Sequence, residues 1–171
     1  MSYADYRALG PEVRAEWVDG EVVMTPSPSW RHQQAARRLA NLLEAALPDL
    51  LVVEAVTVVL PGGRERIPDV SVVTSPPGTE HLTEVPLIAA EVLSPSNRAE
   101  DTVRKSAEYL AAGIVQYWLV DPEERIIDVF QHGDGEWAPL ARLDGATPTA
   151  TVPVPGHASV EVDLDRLLSG R

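Results

Sequence analysis

The chain has 171 residues, 44% of them hydrophobic and 23% charged, a composition typical of one soluble globular domain and not of a disordered or fibrous protein. It contains no cysteine, which excludes a disulfide framework, a thiolate zinc site and a cysteine nucleophile. The net charge of -12 disfavours a protein that coats nucleic acid, although arginine clusters within residues 1–105 leave room for local contact with phosphate.

The first part of the chain predicts a hairpin followed by a long helix. An Asp-Gly pair between apolar arms is a strong hairpin signal and predicts two antiparallel strands within residues 15–24. Residues 27–47 repeat apolar positions at helical spacing. They predict a helix in which Ser27 is the N-cap and Pro28 lies in the first turn.

The middle of the chain predicts three strands. Residues 51–60 and 67–74 are rich in β-branched side chains, and the sequence PGGRER between them predicts a turn. Residues 87–93 form a continuous apolar run with one acid, which is typical of a central strand buried on both faces.

The second half of the chain predicts a helix and more strands. Residues 99–112 predict a helix that ends at Gly113, and residues 114–121 predict the next strand. The central order of helix, three strands, helix and strand predicts a mixed α/β fold with helices packed on a sheet. The later elements are two strands, a proline-rich stretch interpreted as a loop and a short last helix: 125–131, 137–143, TPTATVPVPG and 163–168.

Two acidic residues stand out because the strands predicted around them are otherwise apolar. Asp69 follows a proline at the start of one strand, and Glu91 lies in the middle of the next. A buried carboxylate is costly without a partner, and two carboxylates about 4 Å apart repel by roughly 4 kcal/mol at an effective dielectric of about 20. If the strands are neighbours, the pair needs a proton, a lysine or a cation, and a divalent metal is the simplest of these.

Lys105 is the single lysine among 14 basic residues. The pKa of an ammonium group can be shifted by burial and that of a guanidinium cannot. This lysine is therefore a candidate for a role that arginine cannot fill. The alternative is that a single lysine remains at this position by chance. It follows Asp101 by four residues, which puts both on one face of the predicted helix. The two are interpreted either as a surface ion pair worth about 0.3–0.5 kcal/mol or as part of a site in which Lys105 reaches the carboxylates.

Several segments match the pattern of one protein family: RIPDVSVV, EVLSPSN, YWLVDP, AEWVDGEVVMTPSPSWRHQ and LDGATPTATVPVPG. On these segments the chain resembles, over nearly its whole length, the Uma-type family of bacterial putative restriction endonucleases, placed in the PD-(D/E)XK nuclease superfamily. The resemblance implies a restriction-endonuclease-like core with the same order of helix, three strands, helix and strand. We therefore expect a single domain over 1–171, with an N-terminal hairpin extension in 1–26, the nuclease-like core in 27–121, and C-terminal strands with a short helix in 122–171.

The resemblance also implies a catalytic site. The superfamily aspartate maps onto Asp69 and its second acid onto Glu91, while the usual position of its lysine holds Leu93. Members whose lysine has moved to the next helix point to Lys105 instead. The implied activity is that of a metal-dependent endonuclease, in which Asp69, Glu91 and the main-chain carbonyl of Val92 hold Mg²⁺ or Mn²⁺. Lys105 would then assist the water that attacks a phosphodiester bond of nucleic acid.

Other side chains are secondary candidates for the same site. Glu16 matches an acid of the family pattern and is interpreted either as a support for the site or as an exposed strand carboxylate. His32, on the first long helix, either faces the site or is a solvated or otherwise satisfied side chain, and Asp101 is a candidate through its spacing from the lysine. Tyr109 and Trp118 are interpreted as packing residues.

The alternative function is a catalytically silent interaction or structural module that keeps the nuclease fold as a dimer. The net charge of -12 and the lack of a separate DNA-binding region favour this alternative. A homodimer is expected in both cases, because nucleases of this superfamily often pair and sheet edges need cover. The first ten residues lack the apolar core of a signal peptide, so we expect a cytoplasmic protein that does not bind membranes.

Overall fold

The computed structural model describes residues 1–10, 13–25 and 27–169 and consists of helices packed against three β-sheets. The mixed architecture of helices and sheet predicted from the sequence is confirmed. The largest sheet has six strands: β3 (Leu51–Glu54), β6 (Val70–Val73), β7 (Ile88–Val92), β8 (Gln116–Asp121), β9 (Ile126–Gly133) and β10 (Glu136–Leu143). Their spatial order is β10-β9-β8-β7-β6-β3.

The centre of the six-stranded sheet is buried on both faces. Every residue of β6, β7 and β8 is buried, as the continuous apolar run at 87–93 predicts. Strands β7 and β8 are parallel, and the other neighbours in this sheet are antiparallel. The carboxyl ends of β7 and β8 therefore lie at the same edge of the sheet, where loops that carry functional groups can meet.

Side chains alternate between the two faces of each strand, so both faces of this sheet carry apolar residues. One helix covers each face. The helix α2 (Trp30–Ala46) buries Leu39 and Leu43 in one core cluster with Ala90 and Trp118. The helix α3 (Ser106–Ala112) contributes its tyrosine to a second cluster on the other face, with strand residues that alternate with those of the first. The two faces thus hold separate cores, and the six-stranded sheet forms the middle layer.

The boundaries of both helices differ from those predicted. Helix α2 begins at Trp30, three residues after the predicted cap, because the side chain of Ser29 and not that of Ser27 accepts a bond from a backbone N–H of the first turn, that of His32, at 3.2 Å. The predicted helix at 99–112 begins as a π-helical segment, Glu100–Lys105, and continues as α3. It ends at Gly113 as predicted, where the left-handed backbone (φ 84°) suits glycine.

The single strand predicted at 51–60 is wrong, because the chain turns at Ala55 (φ 53°) and enters a different sheet. The predicted turn at 61–66 is also wrong in part, because Glu65–Arg66 form a short strand. This second sheet has four strands: β1 (Ala15–Val18), β2 (Glu21–Met24), β4 (Val58–Val59) and β5 (Glu65–Arg66). Their spatial order is β2-β1-β5-β4.

The N-terminal hairpin forms as predicted. Asp19 and Gly20 both have positive φ angles, 51° and 89°, which is the backbone of a type I′ turn. Strand β1 pairs with β2 on one side and with β5 on the other, so the hairpin forms part of the four-stranded sheet. A short helix α1 (Tyr3–Arg7), which the sequence did not predict, precedes it.

The C-terminal part adds a two-stranded sheet that the proline-rich sequence concealed. Strands β11 (Thr149–Val152) and β12 (Val160–Asp163) pair antiparallel, so the interpretation of TPTATVPVPG as a loop is wrong for its TATV segment. The prolines flank β11 and do not interrupt it, which is why a strand can form there. The short helix α4 (Leu164–Leu168) follows as predicted, with Asp163 as its N-cap. In the part of the chain that the structure describes, no helix combines the length and apolar character needed to cross a membrane.

Candidate functional site

The structure places Asp69 and Glu91 side by side at one end of the central strands. Antiparallel pairing matches Val70 of β6 with Ala90 of β7, so the next residues outward are Asp69 and Glu91. Asp69 Oδ2 accepts a hydrogen bond from the backbone N–H of Val92 at 2.8 Å, which fixes its carboxylate against β7. The two carboxylates predicted to converge therefore do so, through strand register.

Lys105 reaches back to this end of the sheet. Its Nζ lies 3.0 Å from Glu91 Oε1, 3.2 Å from Glu16 Oε1 and 3.3 Å from Asp101 Oδ1. Its side chain is only 8% exposed. The interpretation of Lys105 and Asp101 as a surface ion pair is therefore wrong, because both are buried and the ammonium lies among three carboxylates from three elements.

Glu16 is buried and tied to the site from the hairpin side. Its Oε1 accepts a bond from the backbone N–H of Ile67 at 2.8 Å, and its Oε2 accepts one from Nη1 of Arg66 at 2.9 Å. The interpretation of Glu16 as an exposed strand carboxylate is wrong, because its side chain is only 4% exposed. Glu16 thus links strand β1, the segment before Asp69 and Lys105.

Arg66 is a buried residue that the sequence indicated only as one member of a basic cluster. Its guanidinium is fully buried and donates to both carboxylate oxygens of Glu108, at 2.6 and 2.8 Å. It also lies 2.8 Å from Glu100, in the π-helical segment. Arg66 therefore neutralises acids from β1, the π-helix and α3, and it is not available to phosphate. Its position on the strand that leads into Asp69 is the one signal that could have identified it.

Tyr109 has a polar role that its interpretation as a packing residue missed. It is fully buried, and its hydroxyl donates to Glu91 Oε1 at 2.7 Å. The spacing of four residues from Lys105 puts both on one helical face and could have indicated that both reach the same carboxylate. Trp118, by contrast, is a core residue as interpreted.

His32 faces the site from helix α2. Its Nε2 lies 3.1 Å from Asp69 Oδ2, and its side chain is 9% exposed, so the interpretation of a solvated histidine is wrong. Its Nδ1 is buried and has no hydrogen-bond partner among the described residues. His32 therefore contacts Asp69 on one side and has a second, unused ring nitrogen.

Asp101 is the least satisfied acid of the cluster. It is buried, and neither carboxylate oxygen makes a hydrogen bond within residues 1–10, 13–25 and 27–169. Among the described residues, its one close cationic neighbour is Lys105, at a distance that allows charge attraction without good hydrogen-bond geometry. A π-helical segment positions both residues, and such irregular turns are frequent at functional sites.

Burial, together with the charges of neighbouring groups, shifts the pKa values of the cluster. Burial raises the pKa of Glu91 well above its usual range; Lys105 lowers it, and Asp101, Asp69 and Glu16 raise it further. Burial, opposed by Lys105, likewise raises the pKa of Asp101 from 3.8 to about 6. Burial lowers the pKa of Lys105, but the attraction of the three neighbouring carboxylates has the larger effect, so the pKa is raised above its usual value. Lys105 is therefore a firmly protonated ammonium at neutral pH.

An open cleft of about 430 Å³, here called the acidic cleft, gives access to these groups. All six predicted site side chains line it: Glu16, His32, Asp69, Glu91, Asp101 and Lys105. Val92 itself is buried in the core, and its carbonyl accepts a bond from the side-chain amide of Asn97 at 3.3 Å. The structure thus gathers side chains from β1, α2, the loop before β6, β7 and the π-helix at one opening.

The donor set of the acidic cleft fits a hard divalent cation by its chemistry. Within the described ranges, no three or more His, Asp or Glu side chains are arranged in a ready coordination shell. The residues nevertheless offer carboxylate oxygens in excess of positive charge, and both oxygens of Asp101 lack a hydrogen bond. Mg²⁺ usually takes one or two carboxylates and completes its shell with water and substrate oxygens, so a cation of this kind would not need a larger group of protein ligands.

Comparison with known proteins gives a family and a fold. A family model, Uma2, described as "Putative restriction endonuclease", matches residues 3–163. The crystal structure of a putative nuclease belonging to DUF820 from Anabaena variabilis ATCC 29413 is similar, with a TM-score of 0.81 and 21% sequence identity. The match covers 99% of this chain and 98% of the other, so the predicted restriction-endonuclease-like fold is confirmed. No curated protein matches the chain.

Proposed function

The chain belongs to the Uma2 family, and on this premise we propose that it is a metal-dependent endonuclease that hydrolyses phosphodiester bonds of nucleic acid. The observation that carries the proposal is the meeting of Asp69, Glu91 and Lys105 in the acidic cleft. These residues come from the loop before β6, from β7 and from the π-helical segment, and a fold needs no such concentration of buried acid for its stability. Buried charges with shifted proton affinities in a cleft are typical of functional sites.

Asp69 and Glu91 are the residues that would hold Mg²⁺ or Mn²⁺, together with the main-chain carbonyl of Val92. Such a metal, when bound, supplies a water of lowered pKa and offsets negative charge on the phosphate. Tyr109 and Lys105 both donate to Oε1 of Glu91 and hold that carboxylate in one orientation.

Lys105 acts in this mechanism as a fixed positive charge. Its net pKa is raised and its ammonium already lies beside three carboxylates, so it keeps its proton and does not serve as the base. It can donate a hydrogen bond to the attacking water or to the phosphate, and its charge favours the extra negative charge of the pentavalent transition state. His32 contacts Asp69 and would hold that carboxylate in place from the other side.

Calorimetric titration of Mn²⁺ and Mg²⁺ tests the proposal without assuming a substrate. We expect binding to the wild-type protein and none to Asp69→Asn, because the amide cannot supply the charge that holds a hard cation. Asp49→Asn is the matched control, because Asp49 is exposed and lies outside the acidic cleft. Binding that survives in Asp69→Asn would contradict the assignment of this ligand.

Glu91→Gln separates a catalytic from a structural role. The amide oxygen can still accept from Tyr109 and Lys105, so we expect unchanged or higher stability together with lost metal binding. A large loss of stability would show that Glu91 belongs to a structural ion pair, which is what the alternative of a catalytically silent module predicts. No metal binding, and no cleavage of DNA or RNA by wild type, would favour that alternative.

The homodimer remains a prediction. Strands β3 and β10 are the two edges of the six-stranded sheet, and unpaired edges are common sites of association between copies. Light scattering coupled to size-exclusion chromatography should give twice the mass of one 18.5 kDa chain. A monomeric mass across the micromolar range would contradict it.

A further inference from the structure

The surface next to the acidic cleft carries an exposed tryptophan, Trp30. It is the first residue of α2 and is 64% exposed, whereas Trp118 is fully buried and the other two tryptophans are partly buried. A single exposed apolar side chain is ordinary on a protein surface, so this ring is informative because it also borders a cleft and stacks with an arginine. Two residues later on the same helix, His32 lines the acidic cleft and contacts Asp69, whereas Trp30, on another side of the helix, lines a neighbouring cleft.

Trp30 borders a second cleft of about 540 Å³, here called the side cleft, which is lined by Arg31, Gln34, Pro122, Arg125 and neighbouring residues. Pro122 directly follows β8, whereas the loop after β7 lines the acidic cleft. Because β7 and β8 are parallel neighbours, the two clefts lie side by side at the carboxyl ends of these strands, with the start of α2 between them. A flexible chain that crosses the carboxyl ends of both strands would pass from one cleft into the other.

Two arginines without acidic partners flank this path, although the protein as a whole has a net charge of -12. Arg31 stacks its guanidinium 5.4 Å from the centroid of the Trp30 ring and makes no ion pair within the described ranges. Arg14 lines the acidic cleft and likewise pairs with no carboxylate among the residues that the structure describes. Arginine binds phosphate through its planar set of donors, so these two positions suit the backbone of a nucleic acid.

We propose that Trp30 and Arg31 form a binding site for an unpaired nucleotide next to the phosphate that is cut, so that the substrate is single-stranded there. The inference rests on the proposed nuclease function and names its substrate class. Trp30 supplies the face on which a base stacks, and Arg31 supplies a phosphate contact. Bases inside a duplex are stacked on one another and cannot use this ring, so single strands are preferred. The side cleft is within the size range that accommodates a small ligand such as a nucleotide.

Fluorescence anisotropy of a labelled ten-nucleotide oligo(dT) tests the proposal, in EDTA and again with Ca²⁺. We expect the wild-type protein to bind this single strand more tightly than a labelled duplex of equal length. Trp30→Ala should weaken single-strand binding by about 5- to 150-fold, the range that base–aromatic stacking gives, and Trp30→Phe should retain most of it. Binding should also quench the tryptophan fluorescence of the wild type but not that of Trp30→Phe.

The matched pair Arg31→Gln and Arg37→Gln tests the phosphate contact. Both arginines are exposed and lie on α2, but Arg37 lines neither cleft. We expect the first variant to weaken single-strand binding and to lower the magnitude of its salt dependence, and the second to behave as wild type. Equal losses in the two variants would show general attraction and overturn the site.

The outcomes separate this inference from the proposed function. If wild type binds single strands and Trp30→Ala binds them equally well, the stacking site is refuted and the nuclease proposal stands. If duplex binds more tightly and Trp30→Ala has no effect, the substrate class is refuted. If wild type binds neither DNA form nor a single-stranded RNA in EDTA or Ca²⁺, the nucleic-acid substrate itself is refuted, and this inference with it.

Discussion

Asp101→Asn removes a buried carboxylate that costs stability at neutral pH. The pKa of Asp101 is raised from 3.8 to about 6, chiefly by burial, so the folded protein holds this proton more tightly than the unfolded chain does. Stability therefore falls as pH rises between these two values and stays lower above them. Asn has nearly the same shape and no charge to lose, so the variant escapes this penalty.

The size of the effect follows from the shift. About two pKa units at 1.36 kcal/mol each correspond to roughly 3 kcal/mol. The stability advantage of Asp101→Asn over wild type should therefore grow by about this amount as the pH rises from 4 to 8. Little screening reduces this figure, because Asp101 is only 1% exposed. Lys105 keeps Glu16 and Glu91 as partners in the variant, so its ammonium is not left alone.

Urea unfolding of wild type and variant at pH 4, 5, 6, 7 and 8 measures this difference. Asp134→Asn is the control, because Asp134 lies in an exposed turn at positive φ, which Asn also tolerates, and it reports the general effect of one acid fewer. The control should shift stability by no more than about 0.5 kcal/mol at any pH. If the gain of Asp101→Asn does not grow with pH, or if it reverses, the charge of Asp101 is needed in the fold and the reasoning is wrong.

Three further substitutions test the contacts around the site by their effect on the free energy of unfolding. Arg66→Met removes the buried guanidinium that bonds buried Glu16 and partly buried Glu108, so we expect a loss of about 3–5 kcal/mol. Tyr109→Phe removes the hydroxyl that donates to Glu91, and we expect a loss of about 1.5–3 kcal/mol in chemical denaturation. Gly20→Ala puts a β-carbon at a φ of 89° and should lower the melting temperature through a loss of about 1–2 kcal/mol.

Two controls accompany these substitutions. Arg142→Met breaks an exposed pair with Asp128 and should cost less than about 1 kcal/mol, so an equal loss in Arg66→Met would contradict the role of burial. Gly145→Ala adds a methyl group in open space at an ordinary φ and should be neutral or stabilising. Unchanged stability in Tyr109→Phe would show that its hydroxyl is not needed by Glu91.

The amino-acid sequence was sufficient for those elements whose signal is local. The Asp-Gly turn, the apolar strand at Glu91 and the helix stop at Gly113 each follow from the backbone preference or polarity of a few adjacent residues. The acids of the candidate site were also visible, because a carboxylate in an apolar strand is conspicuous wherever the strand lies. The fold class was accessible from the order of the predicted elements, and the family from the segments that resemble its pattern.

Only the tertiary structure decided what these residues touch. The strand expected at 51–60 divides between two sheets, and Arg66, expected in a turn, is a buried strand residue, because pairing with β1 outweighs the local turn signal. Strand register puts Asp69 beside Glu91, and the π-helical segment turns Asp101 and Lys105 inward to them. Contacts between residues far apart in the chain depend on register and packing, which no local pattern encodes.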